Sequence, residues 1–337
     1  MNYFELNEEV VSQLEQSTSW NFIGTIIIIE NNWTAIEAAH DWCTGTGSEL
    51  DPYIIENITI NSWDIGSCIT VQNSVDYFII QNCVLYNASS NDDVGIALNN
   101  VTNGKIINNY CHNNYCGIEL RDSDNNTIIA NSANDNTHGI RLYNSDNNNI
   151  SQNIANYNIY YGIPLYDSYN NIVSQNSVND NDSGIYIYDS NTNMILDNIA
   201  KINRYGIYIG QSDNNTVSYN IANENDNYGI FLFDSNNNRI FLNSFSNRQN
   251  AKNNGTNNMW DNGSIGNYWD DYQGVDSNDD GIGDEPYLIQ GVPVGQDNFP
   301  IWDDGIEQPT IPFGNHFLLF MIAAIVSIII LDHNRKS

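Results

Sequence analysis

Positive charge is scarce in this sequence. Ten Lys and Arg stand against 41 Asp and Glu, for a formal net charge of −31. No basic stripe is available to neutralise phosphates, which excludes nucleic acid as a partner. An acidic exterior suits cations, neutral glycans or plain solubility instead. Charge of either sign is sparse, at 15% of residues, so most of the surface must be Asn, Ser, Thr and Tyr. Cysteine is rare as well. Cys43, Cys68, Cys83, Cys111 and Cys116 include no CxxC pair, and their odd number excludes a complete disulfide framework. The opening stretch MNYFELNEEVVSQLEQ does not read as a secretory signal.

What is abundant is asparagine, with 61 residues. Such a bias would normally point to disorder, but 41% of the residues are hydrophobic and they recur regularly. A Gly-Ile pair returns at Gly95, Gly117, Gly139, Gly162, Gly184, Gly206 and Gly229, in steps of 22 or 23 residues. A second landmark, a β-branched residue three before Asn, returns at Ile79, Ile106, Ile128, Ile150, Val173, Ile195, Val217 and Ile240. After a first step of 27 it keeps the same rhythm. Within each short run the apolar residues alternate, which is the period of strands. The fold class is therefore all-β: a right-handed parallel β-helix, or solenoid, of about nine coils, each with three short strands.

Stacking coils about 4.8 Å apart puts like residues above one another. One column is Asn82, Asn109, Asn131, Asn153, Asn176, Asn198, Asn220 and Asn243, where each amide can donate to one neighbour and accept from the other. Two residues on, Val84, Cys111, Ala133, Ala155, Val178, Ala200, Ala222 and Phe245 read as inward. Ser123, Ser145, Ser168, Ser190, Ser212 and Ser235 mark another corner. These columns are scaffold.

The ends need caps, because a terminal coil exposes an open sheet edge. Phe22–Ile29 reads as an opening strand and Thr34–Trp42 as a short helix over the N-terminal end. The expected layout is a segment and cap over 1–44, repeats over 45–250 and a C-terminal cap over 251–305. A linker follows over 306–312, then a transmembrane helix over 313–331 and a tail over 332–337. Phe317–Leu331 carries no charge, while Arg335 and Lys336 follow it. The positive-inside rule puts that tail in the cytoplasm and the β-helix outside, as a single-pass cell-membrane protein. Sequons at Asn32, Asn57, Asn87, Asn100, Asn125, Asn149, Asn181, Asn214, Asn254 and Asn262 suit an exported glycoprotein. Asn57 is assigned to the buried column and is not expected to be modified.

Candidate sites come from the outward residues after each Gly-Ile. Stacked coils bring Tyr143, Tyr166, Tyr186, Tyr188, Tyr208, Phe231 and Phe233 into one aromatic strip. Flat rings give contact area at low entropic cost, which suits stacking against sugar faces. Cross-coil packing of the rings is the alternative. Glu119, Arg121, Asp122 and Arg141 form the mixed-charge group at one end and are the candidates for acid–base catalysis. Asp122 shares its column with Asn144 and Gln211, which favours a turn role. In the acidic loop near the C-terminal cap, Asp276, Asn278, Asp280, Ile282 and Asp284 resemble a D-x-N-x-D-G calcium loop, so Ca2+ is the expected cation. Tyr287 stands where a bidentate Glu would close such a loop.

The Gly-Ile/Asn coils, the opening GTGSELDPYIIENITI (residues 45–60) and the ending GNYWDDYQGVDSNDDGIGDEPYLI (residues 266–289) resemble the NosD-type β-helix proteins. These are repeats associated with carbohydrate binding and sugar hydrolysis. With the C-terminal anchor, the chain looks like archaeal surface proteins of this group. The resemblance implies the fold, and its name implies copper delivery. Copper is not expected here. Before the anchor only His40, His112, His138, Met1, Met194 and Met259 are available, and Cys111, His112 and Cys116 form the one local cluster. The expected function is a membrane-anchored cell-surface protein that binds carbohydrate or another surface component. A polysaccharide lyase, epimerase or glycoside hydrolase, and a purely structural spacer, stay open beside it.

Overall fold

The computed structural model describes residues 20–90 and 92–302. The short alternating runs become strands, and the chain winds through three parallel sheets. The long sheet has 12 strands and the second has 10. The second sheet takes nine parallel strands from successive coils, with Cys43–Thr44 added antiparallel at its edge. The third sheet runs as five strands and then three. Single bridges through Ile154, Ser177 and Ile199 join the two parts. One complete coil illustrates the path: Ser183–Tyr188 in the long sheet, Met194–Leu196 in the second, Ile199 in the third, then Tyr205–Gly210 one level on.

The interior is a stack of aliphatic side chains. Ile118, Leu120, Ile140, Leu142, Ile185, Ile187, Ile207 and Ile209 are all completely buried. Each Gly of the Gly-Ile pair lies where a side chain has no room. A Cβ on Gly184 would sit 2.8 Å from the Gly206 carbonyl oxygen and 3.0 Å from Asn203 Nδ2.

Corners explain the asparagine. Each regular coil turns at four residues with left-handed backbone, and the next residue points a polar side chain inward. In one coil the left-handed residues are Asp189, Thr192, Asp197 and Ile202, at φ 51, 59, 55 and 57°. Ser190, Asn193, Asn198 and Asn203 follow them and are buried. Asn and Asp tolerate the left-handed region best, so they serve at both positions. Each inward oxygen accepts the backbone N–H of its counterpart one coil earlier. The bonds are Ser168 N to Ser190 Oγ at 3.0 Å, Asn171 N to Asn193 Oδ1 at 2.8 Å, Asn176 N to Asn198 Oδ1 at 3.0 Å and Asn181 N to Asn203 Oδ1 at 2.9 Å. The Nδ2 groups donate back, as Asn198 does to the Val173 carbonyl at 2.8 Å. Three asparagine ladders and one serine ladder thus satisfy corner groups that water cannot reach.

The sequence columns hold from Gly95 onward and slip by one residue before it. Ile80, not Ile79, pairs with Ile106, and Leu85, not Val84, pairs with Cys111. Asn57 and Asn82 are therefore the left-handed corner residues, at φ 58 and 54°. Ile58 and Cys83 take the inward positions. Asn57 is half-buried rather than buried, whereas the sequon residue Asn181 lies inside a ladder at 6% exposure. The cause is an irregular coil. Cys83 N bonds Asn109 Oδ1 across 26 residues, and the extra length bulges out between Ala88 and Val94, which both keep their places in the stack.

Phe22–Ile29 is two strands rather than one. Trp20–Ile23 joins the third sheet and Ile27–Glu30 the long sheet. The helix over that end spans Trp33–Ala39. It drives Trp33 onto Tyr53, with ring centroids 5.0 Å apart, and Trp33 Nε1 donates to Ser74 Oγ at 2.9 Å. At the other end the sequence rhythm fades near Asn250, yet stacking continues through Ala251–Asn254 and Tyr268–Trp269. Buried Trp260 and Trp269 close the interior there. The expected linker, transmembrane helix and tail (306–337) lie outside the described residues, as do residues 1–19. Among the described residues no helix is long and apolar enough to cross a membrane.

Candidate functional site

The outward face of the long sheet carries three adjoining columns. The middle one runs Glu119, Arg141, Pro164, Tyr186, Tyr208, Phe231, Lys252. Beside it run Arg121, Tyr143, Tyr166, Tyr188, Gly210 and Phe233. On the other side, Cys116, His138, Tyr161, Ser183, Tyr205 and Tyr228 occupy the position just before each Gly. The sequence reading passed over that last column. Its signal was available, because it keeps the same phase as the glycines.

The tyrosines stack along the solenoid axis. Tyr161 lies on Tyr186 with centroids 4.3 Å apart at 12°, and Tyr186 lies on Tyr208 at 4.8 Å and 7°. Phe231 continues edge-on from Tyr208 at 5.4 Å. Mutual stacking hides part of every ring. Of the seven aromatics expected in an exposed strip, only Tyr143 and Phe233 are exposed, at 43% each. Tyr166, Tyr186, Tyr188, Tyr208 and Phe231 are half-buried. Burial, then neighbouring tyrosine hydroxyls, raises the Tyr186 phenol above its ordinary value, so the track stays uncharged.

At the other end of the face, Glu119 is 4% exposed. Its carboxylate accepts from Arg121 at 3.1 Å and pairs with Arg141. Arg141 also lies 5.2 Å over the Tyr115 ring, and Asp92 reaches to 3.7 Å of it from the bulged loop. Glu119, Arg121 and Arg141 are thus brought together. Asp122 is apart from them, at a left-handed corner with φ 50°, where it accepts from Asn144. His138 sits on the same face at 7% exposure, ringed by Tyr115, Tyr160 and Tyr161. Its Nδ1 has no hydrogen-bond partner among the described residues. Burial, then the Arg141 charge, lowers its pKa to about 4, leaving a neutral imidazole at physiological pH.

The acidic loop folds back on its own amides. Asp276 accepts from Gly281 N at 2.8 Å, Asp280 from Ile282 N at 2.9 Å and Asp284 from Ser277 N at 2.9 Å. Asn278 donates to Asp280 at 3.0 Å. Elsewhere, all five cysteines are free and buried. Burial pushes the Cys68, Cys83 and Cys116 thiols up to about 12. Among the described residues no three His, Cys, Asp or Glu side chains converge as a metal-binding group.

The likeness to known proteins follows the coils. The profile of the family described as periplasmic copper-binding protein (NosD) matches residues 46–220 and 87–274. The donors among the described residues do not suit the copper in that description. The thiols are buried and protonated, and His112 is stacked between Tyr86 and Tyr110. No curated protein matches the chain. Among solved structures, the A-module of mannuronan C-5 epimerase AlgE6 from Azotobacter vinelandii superposes with a TM-score of 0.51 at 17% identity. That match covers 62% of this chain and 64% of the module, so the chain spans less than two thirds of it. Full-length tailspike protein 2 of an Escherichia coli O157:H7 bacteriophage gives a TM-score of 0.52 at 14% identity, covering 70% of this chain and 38% of the tailspike. At such identities the likeness is one of fold. The family match, in contrast, takes in the coils, nearly all of the opening and the first part of the C-terminal cap, and the chain belongs to the NosD family.

Proposed function

We propose that this is a cell-surface β-helix protein that binds carbohydrate along the outward face of its long sheet, held at the membrane by its C-terminal apolar segment. The observation that carries the reading is the tyrosine track, in which Tyr161, Tyr186 and Tyr208 lie nearly parallel across successive coils. Parallel rings repeated at the coil spacing offer a line of apolar surface edged with hydroxyls, which suits the alternating faces and hydroxyls of a glycan chain. A glycan array with the full chain tests it. Binding is expected, and Tyr186→Ala with Tyr208→Ala is expected to weaken it at least about tenfold. Equal binding by the double variant, or no glycan bound at all, sinks the proposal in favour of a structural spacer.

A second reading, polysaccharide modification by proton transfer, draws on His138. A neutral imidazole with a buried, unpartnered Nδ1 beside Arg141 has an acceptor nitrogen next to a fixed positive charge. Glu119 supports that arrangement only by holding Arg141, since both ion pairs occupy its carboxylate. New unsaturated or reducing ends released from polyuronides, and lost in His138→Gln, would favour it. Absence of any product from the wild-type chain removes it.

A further inference from the structure

We infer that the ligand of the long sheet is an anionic polysaccharide, a polyuronate or a sulfated glycan, lying parallel to the solenoid axis between Arg121/Arg141 and Lys252. The inference rests on the carbohydrate-binding reading above and names its substrate class.

The charge of this face runs against that of the molecule. The chain carries −31 overall. The seven consecutive long-sheet strands from Cys116–Arg121 to Ala251–Asn254 contain three cations, Arg121, Arg141 and Lys252, and one carboxylate, Glu119. Glu119 balances one arginine. Asp92 approaches Arg141 only at 3.7 Å, with 71% of its side chain exposed, so solvent screens that pair. Among the described residues Lys252 makes no ion pair. Its Nζ lies 5.2 Å from the Phe231 ring centre and 5.7 Å from that of Tyr228.

The placement of these cations fits a polymer better than a small ion. Arg141 and Lys252 belong to one column, with Pro164, Tyr186, Tyr208 and Phe231 between them. At about 4.8 Å per coil, five coil steps separate the two charges by roughly 24 Å. A glycan along the track can stack its rings on the tyrosines while acidic groups reach a cation at each end. Screening in physiological salt confines each charge to about 8 Å. The acidic remainder of the surface is thereby damped, and the acids nearest the face, at the corners Asp167, Asp189 and Asp234, lie beyond its outer column rather than in the line of Arg141 and Lys252.

Affinity measurements on the full chain separate the possibilities. Polygalacturonate is compared with its methyl ester, and dextran sulfate with dextran. The wild type is expected to prefer an acidic form over its neutral counterpart by about tenfold or more, and whichever pair shows the preference identifies carboxylate or sulfate. Lys252→Gln and Arg121→Gln are each expected to shrink that ratio severalfold. Lys252→Arg should keep it, as should Lys105→Gln on the second sheet. Circular dichroism confirms that each variant folds. Equal affinity for acidic and neutral forms overturns the anionic ligand while leaving carbohydrate binding standing. Failure of the wild type to bind any of the four glycans overturns both. A ratio unmoved by Lys252→Gln and Arg121→Gln removes the assigned ends.

Discussion

Asn267 donates both its backbone N–H, at 2.7 Å, and its side-chain Nδ2, at 3.4 Å, to the same carboxylate oxygen of Asp297. Asn267 is the last rung of the ladder that passes through Asn198 and Asn220. A carboxylate therefore ends a run in which every earlier rung donates to the amide of the next coil. Trp269 Nε1 adds a third donor to that oxygen at 2.9 Å, and Phe299 N bonds the other one at 3.1 Å.

This terminus should titrate. Burial raises the Asp297 pKa from 3.8 to about 6 against the pull of its donors. A group raised on folding contributes its stability fully below the unfolded value and loses it as pH rises through the folded value. Stability from Asp297 is thus complete below about pH 4 and gone above about pH 6, a change on the order of 3 kcal/mol. Urea unfolding of the wild type and of Asp297→Asn across this window should show the difference between them changing by that much. A constant difference would mean that the carboxyl titrates normally.

Inside the ladder, Asn198→Ala should destabilise by about 3 kcal/mol or more. The change strips the Asn176 backbone N–H of its acceptor and the Val173 carbonyl of a donor, both without access to water. Chemical denaturation checks this, and a loss under 1 kcal/mol would show that a neighbour or water replaces the rung.

Ile202 predicts the opposite sign. It holds φ 57° with a β-branched side chain that is 54% exposed. Asn at that corner removes strain of about 1–2 kcal/mol and buries nothing new. Ile202→Asn should raise the unfolding midpoint, and a lower midpoint would indicate that the isoleucine makes a contact worth more than its strain.

Calcium remains a proposal for the acidic loop, on the strength of its uncompensated charge. Asp276, Asp279, Asp280, Asp284 and Glu285 fall within ten residues of sequence with no basic residue between them. A divalent cation would relieve that repulsion. Millimolar calcium is expected to raise the melting temperature of the full chain and to give heat in calorimetry, both lost in Asp276→Asn with Asp280→Asn. No heat with the wild type rules the site out.

The scaffold was legible because its constraint repeats. Gly95 to Gly229 mark a place where no side chain fits, and Asn109 to Asn243 mark one where only an amide can serve. Two further ladders, through Asn193 and Asn203, keep the same phase, but they are hard to pick out where nearly every corner residue is Asn. The first coil misled because Asn82 looks like a rung. Its side-chain oxygen instead accepts from the neighbouring corner residue Asn108, and a single irregular coil breaks the counting that a period relies on. The outward residues of the candidate face share columns, since register follows from phase. Their exposure was not legible. Whether Tyr186 faces solvent or lies against Tyr161 and Tyr208 depends on side-chain torsions that spacing does not encode.

The regular coils also bear on ancestry. Each one meets its two neighbours through the same bonds, so a stretch of 22 or 23 residues is interchangeable with the next. An in-frame duplication in the gene would then lengthen the rod by one level, about 4.8 Å, with cross-section and end caps unchanged. Genetic drift can therefore tune the reach of such a molecule in small increments without having to solve the folding problem again.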